Sequence, residues 1–295
     1  MHGEQGKRLM MGIMPKYRVN LLILLSLVSC CTGAAFASPA QSDADLVKDV
    51  AYNELHDRGR LSFWQYRIEK TTAERTVTEL QVETAQGPIF RTIEIAGKPL
   101  DPGQKRQEDD RLQNLLRNPS AQRKNREQHE QDEDRLRRLI ALMPQAFLFS
   151  YAGEPAGDRI TLSFRPNPAF TPSTYEARVF HGLAGTVVVD VAAKRLVDLR
   201  GETTDRIDFG FGLLGHIEKG GRFEVKRAPV SPDHWKTQFV DVHLDGRLLF
   251  FKTISKDQRE LRSGFSPVPA DITLAQAAQL LNDLIASPVA NTQAK

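Results

Sequence analysis

Three glycines near the middle of the chain have the spacing of a nucleotide-binding loop. Gly210, Gly212 and Gly215 match the letters G-x-G-x-x-G. In dinucleotide-binding proteins this motif joins a strand to a helix, and the helix N-terminus holds the pyrophosphate. Here the glycines are followed by the letters HIEKGG and then by another strand-like run. Because the helix is missing, we interpret the glycines as relief of curvature in a bent or bulged strand, and we predict no cofactor.

The other residue types that could carry catalysis form no recognisable constellation. The sequence contains no G-x-S-x-G, and no S-x-x-K combined with K-T-G or S-D-N. The histidines beyond the leader have no H-x-H or H-E-x-x-H spacing, so no metal site is predicted from spacing, although ligands assembled across strands stay open. The acidic runs Asp109-Asp110 and Asp132-Glu133-Asp134 lie in one charged, solvated segment, where burial cannot tune a pKa. We therefore predict a protein that is not an enzyme.

The first 37 residues have the pattern of a secretory signal peptide. Four basic residues precede the apolar run at 21–28, and the segment ends in Ala35-Phe36-Ala37, an A-x-A-like cleavage site. The apolar run is shorter than the roughly 20 residues that cross a bilayer. We expect cleavage after residue 37, and release into the periplasm or the medium.

A second interpretation of the same segment is lipidation. The letters LVSC that end at Cys30 resemble a bacterial lipobox, in which the cysteine is acylated and becomes the N-terminus. The protein would then be anchored in the cell envelope. The A-x-A site is the better-formed signal, so we favour release and keep the lipid anchor on Cys30 as the alternative.

Charge and cysteine content narrow the function classes. The chain has 40 Lys and Arg against 37 Asp and Glu, and the first 37 residues hold four of the basic residues and one of the acids. Removing the leader leaves 40 − 4 = 36 basic and 37 − 1 = 36 acidic residues. A formally neutral chain does not favour nucleic acid as a partner. Both cysteines, Cys30 and Cys31, lie in the leader, so cleavage leaves no disulfide or thiolate chemistry.

The elements that would position any site are mostly strands. Residues 186–251 contain short β-branched and aromatic runs separated by turn residues, which is typical of antiparallel hairpins. We place turns near residues 192–194, 201–204 and 219–221, and at Asp245-Gly246, the strongest hairpin signal in the chain. Residues 61–70, 76–84 and 89–95 predict three further antiparallel strands, and residues 175–180 predict another.

Helices are predicted at both ends of the domain. Residues 42–57 carry one apolar stripe, with Ser42 or Asp43 as the N-cap. The letters TLAQ from Thr273 to Gln276 form a capping box that opens an apolar helix ended by Ser287-Pro288. We expect these two helices to roof the apolar inner side of the sheet. The single domain would span 38–286, with a frayed tail at 287–295.

One segment, 101–143, interrupts the strands with charge. Within 101–138, ten residues are Lys or Arg and nine are Asp or Glu. Two short leucine-rich stripes, stopped at Pro119 and at Pro144, predict a helical arm of two pieces with docked ends and a solvated middle. Two interpretations stay open: a solvated linker, or a flap over whatever the sheet encloses.

The positive signal for binding is apolar and diffuse. Aromatic residues fall on predicted strands, where a curved sheet could gather them around a core or around a ligand cavity. The candidates for an apolar ligand cavity are Trp64, Tyr66, Phe149, Phe164, Phe209, Phe211 and Phe239.

The arrangement resembles the family of periplasmic lipoprotein carriers, outer-membrane lipoprotein receptors and related sorting proteins. The likeness rests on the order of elements: a signal peptide, a first amphipathic helix at 45–55, and the alternating strand with Trp64 and Tyr66. It also rests on the run GTVVVD followed by RLV at 185–197. That run is similar to the hairpin of the family, with Val191 and Lys194 where the family has Pro and Gly.

The resemblance implies a mainly β fold: a strongly curved, incompletely closed antiparallel sheet with helices over its mouth. It also implies an apolar concavity that binds the acyl chains of lipids or lipoproteins. We therefore expect an exported, non-enzymatic lipid- or lipoprotein-binding module of the bacterial cell envelope, associated with the membrane peripherally or through a lipid anchor. The alternative is an envelope interaction protein with a filled core, whose charged arm binds a protein partner.

Overall fold

The computed structural model describes residues 42–56, 62–209, 215–248 and 252–286. These residues belong to one unit that starts at Gln41. The helices of this part are α1 (Asp43–Leu55), α2 (Pro102–Arg117), α3 (Pro119–Ala146), α4 (Tyr175–His181) and α5 (Leu274–Ala286). Its strands are β1 (Phe63–Thr72), β2 (Thr76–Val82), β3 (Ile89–Ile95), β4 (Lys98–Pro99), β5 (Phe147–Tyr151), β6 (Arg159–Pro166), β7 (Leu183–Asp190), β8 (Arg195–Thr203), β9 (Ile207–Phe209), β10 (Gly215–Ile217), β11 (Arg222–Ser231), β12 (His234–Leu248) and β13 (Lys252–Val268).

The thirteen strands form one antiparallel sheet. Its order is β4-β3-β2-β1-β13-β12-β11-β8-β7-β6-β5, with β10 paired to β12 and β9 paired to β10. Within the described residues the edge strands β4 and β5 do not pair with each other, so the curved sheet is not closed into a barrel. Strands account for 43% of the described part of the chain and helices for 35%, which confirms the expectation of a mainly β, incompletely closed antiparallel fold.

The first helix covers one face of the sheet. Residues paired across antiparallel strands share a face, and the pairs Tyr66–Gln81, Val187–Leu199 and Val225–Leu199 define what we call the inner face. α1 buries its apolar stripe there, against the end of the sheet formed by β5 to β8. The buried side chains of this cluster are Leu46, Val47, Val50, Ala51, Met143, Ala146, Phe147, Leu162, Phe164, Leu183, Val187 and Val189.

The last helix covers the opposite face, which differs from the expectation that both terminal helices roof the inner side. Leu80 and Val82 alternate with Gln81 along β2 and so point away from the inner face. α5 packs against these two residues, and α2 joins it through Leu112. The amphipathic pattern of α5 identified its apolar stripe, but pattern alone does not say which face of a sheet receives it.

The helix ends follow the sequence signals closely. Ser42 caps α1 by accepting from Asp45 N, and Thr273 and Gln276 form the predicted capping box of α5. The arm of two helical pieces is confirmed as α2 and α3. One detail was wrong: Pro144 does not stop the second piece, because α3 continues to Ala146 with the proline inside it. No helix of the described part is long and apolar enough to cross a bilayer.

Three strand and turn predictions were wrong. Residues 175–180 form most of α4, capped by Thr174, rather than a strand. Gly201 lies inside β8, where its missing side chain makes room for the ring of Phe223: a Cβ would lie 2.5 Å from Phe223 Cε1. Asp245-Gly246 lies inside β12, with Gly246 paired to Ile254.

Gly246 also explains why the strongest turn signal misled. A Cβ at this position would lie 2.4 Å from the carbonyl oxygen of His216 in β10, so the glycine permits a close approach of two backbones. Of the G-x-G-x-x-G segment, Gly215 opens β10. Gly210 and Gly212 lie outside the described residues, as do the leader with Cys30 and the tail at 287–295.

Candidate functional site

A large cavity lies between the inner face of the sheet and α3. Its volume is about 1260 Å³, which exceeds the range of roughly 300–1,000 Å³ typical of small-molecule sites. The second piece of the charged arm, α3, forms the roof of this cavity. The arm is therefore more than a solvated linker. The sheet side of the lining comes from β1, β2, β7, β8, β11, β12 and β13, and the ends of α1 and α4 contribute further residues.

α3 is fixed at both ends of its path across the sheet. Near its start, Asn125 Nδ2 donates to the carbonyl oxygens of Gln86 and Pro88, each at 3.2 Å, in the turn between β2 and β3. Gly87 in that turn has φ +90°, and a Cβ there would lie 2.8 Å from Asn125 Nδ2. At its other end, Met143 is buried in the cluster that α1 forms with the sheet. The exposed, charged middle of the helix spans the distance between these two anchors.

One end of the cavity is apolar. It lies beside the α1 cluster, where α3, α4 and strands β7, β8 and β11 meet. The lining residues at this end are Ile140, Met143, Val179, Phe180, Leu183, Leu196, Leu199, Phe223 and Val225. A surface of this composition excludes water from an apolar ligand and offers few hydrogen bonds, so it suits a hydrocarbon chain.

A buried ion cluster forms a polar part of the wall next to the apolar end. Glu54 on α1 is 5% exposed and accepts hydrogen bonds from Arg195 Nε at 3.1 Å and from Leu196 N at 3.2 Å. The Nη1 group of Arg227 also donates to Glu54, and its Nη2 group donates to the carbonyl oxygen of Trp235 at 2.9 Å. Burial lowers the pKa of Arg227 to about 10, which still leaves the guanidinium charged at neutral pH.

A second polar group lines the wall toward β1 and β2. Lys236 Nζ donates to both carboxylate oxygens of Glu83, at 2.9 and 2.8 Å, and Glu83 also accepts from Trp64 N at 3.1 Å. Gln81 Nε2 donates to the hydroxyl oxygen of Tyr66 at 2.6 Å. Burial, and secondarily the charge of Glu83, raises the pKa of Tyr66, so its hydroxyl keeps its proton and remains a donor.

The aromatic candidates from the sequence fall into different places. Tyr66 lines the cavity. Trp64 is buried next to the cavity, with its ring centroid 5.5 Å from that of the lining residue His234. Phe149 and Phe164 belong to an aromatic group around Phe147. They border a small void of about 10 Å³, with room for about one water molecule, which shares Phe180 and Leu199 with the lining of the cavity. They pack the core beside the apolar end rather than line the cavity.

Phe239 lies on the other face of the sheet. It pairs with Lys226 in the ladder between β11 and β12, and the Lys226 ammonium stands 5.2 Å from its ring centroid. Because Val225 and Arg227 face the cavity, the alternation of the strand turns Lys226 and Phe239 outward. The side chain of Phe209 and the whole of Phe211 lie outside the described residues.

The sequence also contains a signal for the polar wall, which lies outside its aromatic residues. Phe223, Val225 and Arg227 alternate on one strand, so a charged residue continues an apolar face. A charged side chain at such a position is buried against a ligand or an ion partner. Glu54 gave a similar signal, because it lies three and four residues after Ala51 and Val50, on the same apolar stripe of α1.

Neither a metal-ligand pattern nor a similarity to known proteins assigns a function to this cavity. Within the described residues no group of three or more His, Cys, Asp and Glu is arranged to hold a metal ion. Comparison of the chain with family models, with curated proteins and with solved structures finds no match.

Proposed function

We propose that this protein binds the acyl chains of a lipid or lipoprotein in the cavity under α3, without catalysis. The observation that carries the proposal is the cavity itself: about 1260 Å³, roofed by a helix and apolar at one end. At the apolar end, the lining side chains leave hydrocarbon surface without packing partners, so an apolar ligand would be stabilised there. The resemblance to periplasmic lipoprotein carriers and sorting proteins supports the same proposal.

We also propose that the protein works in the bacterial cell envelope. The support is the sequence pattern of residues 1–37, with a basic start, an apolar run and an A-x-A site. Cys30 gives the alternative of a lipid-anchored form. The mass of the mature N-terminus distinguishes a chain that starts at Ser38 from one that starts at an acylated Cys30.

The binding proposal is tested by native mass spectrometry of the protein purified from its envelope fraction. We expect a lipid-sized adduct on the chain, reduced by Leu199→Gln, which places an amide in the apolar end of the cavity. Leu261→Gln is the matched control, because Leu261 is 51% exposed and pairs with Phe239 on the outer face. A chain without adduct, and without uptake of added fatty acid, would contradict the proposal.

A second candidate is binding of an envelope protein through the outer side of α3. It is favoured by the exposed charges of α3 that do not line the cavity, among them Lys124, Asp132 and Arg138. Reversing the charge of exposed positions that do not line the cavity, Lys124→Glu and Arg138→Glu, should then reduce recovery of a partner in a pull-down. Unchanged recovery would remove this candidate while leaving lipid binding unaffected.

A further inference from the structure

We infer that the bound amphiphile has an anionic head group, which lies against the sheet wall at Arg227 and Lys236 while its chain fills the apolar end. This inference rests on the proposed lipid-binding function and adds the class of head group. It follows from where the donors and the positive charges of the cavity lie.

The sheet and α1 present more basic than acidic groups to the cavity. Among the described lining residues on this side, Arg227, Lys236 and Arg262 are basic, whereas Glu54 and Glu83 are acidic. Arg262 is paired with Glu260 and Lys236 with Glu83, but the single carboxylate of Glu54 is shared by the guanidinium groups of Arg195 and Arg227. An anion placed here compensates the remaining positive charge beside the buried Arg227 and Glu54, where charge-assisted hydrogen bonds are strong.

Arg227 gives the inference its most specific support. Two of its nitrogen groups are engaged, with Glu54 and with the Trp235 carbonyl, but its Nε is buried and has no hydrogen-bond partner among the described residues. Leaving a buried donor of a charged group unpaired is unfavourable. A small shift of the side chain toward a carboxylate or phosphate oxygen would satisfy this donor.

Neighbouring groups add further donors. Lys236 directs its ammonium to the two oxygens of Glu83, and an ammonium has three N–H donors. Tyr66 already accepts from Gln81 through its hydroxyl oxygen and retains its own proton for donation. A wall with this many donors matches an acceptor-rich group such as a carboxylate or a phosphate.

The roof has the opposite character. α3 and α4 present Glu130, Glu133, Asp134 and Glu176 to the cavity, against Arg135 and Arg137. These acids would repel an anion near the roof and would therefore place it against the sheet. The inferred position is thus fixed by attraction on one side of the cavity and by repulsion on the other.

The test compares two probes that differ only in head charge: 11-(dansylamino)undecanoate and its primary amide, titrated into the delipidated mature chain. We expect the anionic probe to bind about tenfold more tightly than the amide, as one charge-assisted hydrogen bond would give. Arg227→Gln should reduce this preference to about twofold or less. Lys226→Gln is the matched control: it removes one positive charge one residue away, on the outer face, and should keep the preference.

The outcomes separate the two proposals. If both probes bind equally well, the anionic head group is wrong while lipid binding stands. If neither binds, the proposed function itself fails. If Arg227→Gln does not fold, Lys236→Gln is the decisive variant. It leaves the charge of Glu83 uncompensated and must therefore also lower the preference for the anionic probe. An unchanged preference in that variant would overturn the inference.

The same titration identifies the source of the head group. Displacement of the bound probe by oleate indicates a fatty acid, and displacement by dioleoyl-phosphatidylglycerol indicates an anionic phospholipid. Either result supports the inference. Failure of both to displace the probe, with displacement by neutral monooleoylglycerol, would contradict it.

Discussion

Glu54 Oε1 lies 3.1 Å from Nε of Arg195, and this contact joins residues 141 positions apart in the chain. Both side chains are less than 10% exposed. Arg227 from β11 donates to the same carboxylate. The end of α1 is therefore tied to two neighbouring strands by a buried ion cluster at the cavity wall.

The first prediction concerns the cost of breaking this cluster. Glu54→Gln leaves buried arginines without the carboxylate, and removing one partner of a buried ion pair typically costs about 3–5 kcal/mol. Denaturant unfolding of the mature chain should show this loss. Asp49→Asn is the matched control on the same helix, because Asp49 pairs with Lys194 where both side chains are about 40% exposed. It should cost no more than about 1 kcal/mol.

A loss for Glu54→Gln no larger than the loss for Asp49→Asn would contradict this reading. It would mean that the buried cluster contributes no more to stability than a surface ion pair.

The second prediction concerns the anchor of the roof. Gly87→Ala forces a side chain into a left-handed position and against Asn125 Nδ2, which lies 2.8 Å from the new Cβ. The stability loss should be about 2 kcal/mol. Hydrogen exchange should also become faster in the first half of α3, because the contact of Asn125 with the turn is lost.

Gly97→Ala serves as the control for backbone strain alone. Gly97 has φ +70°, and a Cβ there meets nothing within 4 Å. It should cost about 1 kcal/mol and leave exchange in α3 unchanged. Equal effects of the two substitutions on α3 would show that Gly87 does not anchor the roof.

The third prediction concerns acid stability. Glu108 on α2 accepts from Thr92 N and from Arg111 Nη2, both at 2.7 Å. Burial acts to raise the pKa of Glu108, but the hydrogen bonds from Arg111 and Thr92 outweigh it and the pKa lies below its ordinary value of 4.5. The unfolded chain therefore binds more protons, and stability must fall as the pH drops below about 4.5.

Glu108→Gln isolates this contribution. The variant should be less stable than the wild type at pH 7, and the difference in unfolding free energy should shrink between pH 5 and pH 3. A difference that stays constant over this range would show that Glu108 has no part in acid unfolding.

The sequence predicted those parts of the fold that depend on local signals. Ser42 and the capping box at Thr273 mark helix starts through hydrogen bonds within one turn, so both are readable from neighbouring letters. The alternation around Trp64 and Tyr66 predicted β1 in the same way. Periodicity and capping are local properties, and they are the reason why the order of elements was largely right.

The wrong predictions concern positions whose conformation is set by residues distant in the sequence. Gly246 has the neighbours of a turn glycine, yet its role is to let the His216 backbone approach β12. Gly201 leaves room for the ring of Phe223 in the adjacent strand. α5 lies on the outer face and α3 lies over the inner face. Both positions depend on packing contacts between each helix and strands that are distant in the sequence. The ion cluster at Glu54 could be suspected from a charged residue on an apolar face, but its partners could not be named.

The most direct test of the central claim is to locate the bound chain. A fatty acid with a diazirine on its hydrocarbon chain, bound to the mature protein and irradiated, should label peptides that line the apolar end: residues 136–147, 179–199 and 222–227. Labelling confined to the outer face, on β2 and α5, or no labelling above that of denatured protein, would contradict an acyl chain in the cavity under α3.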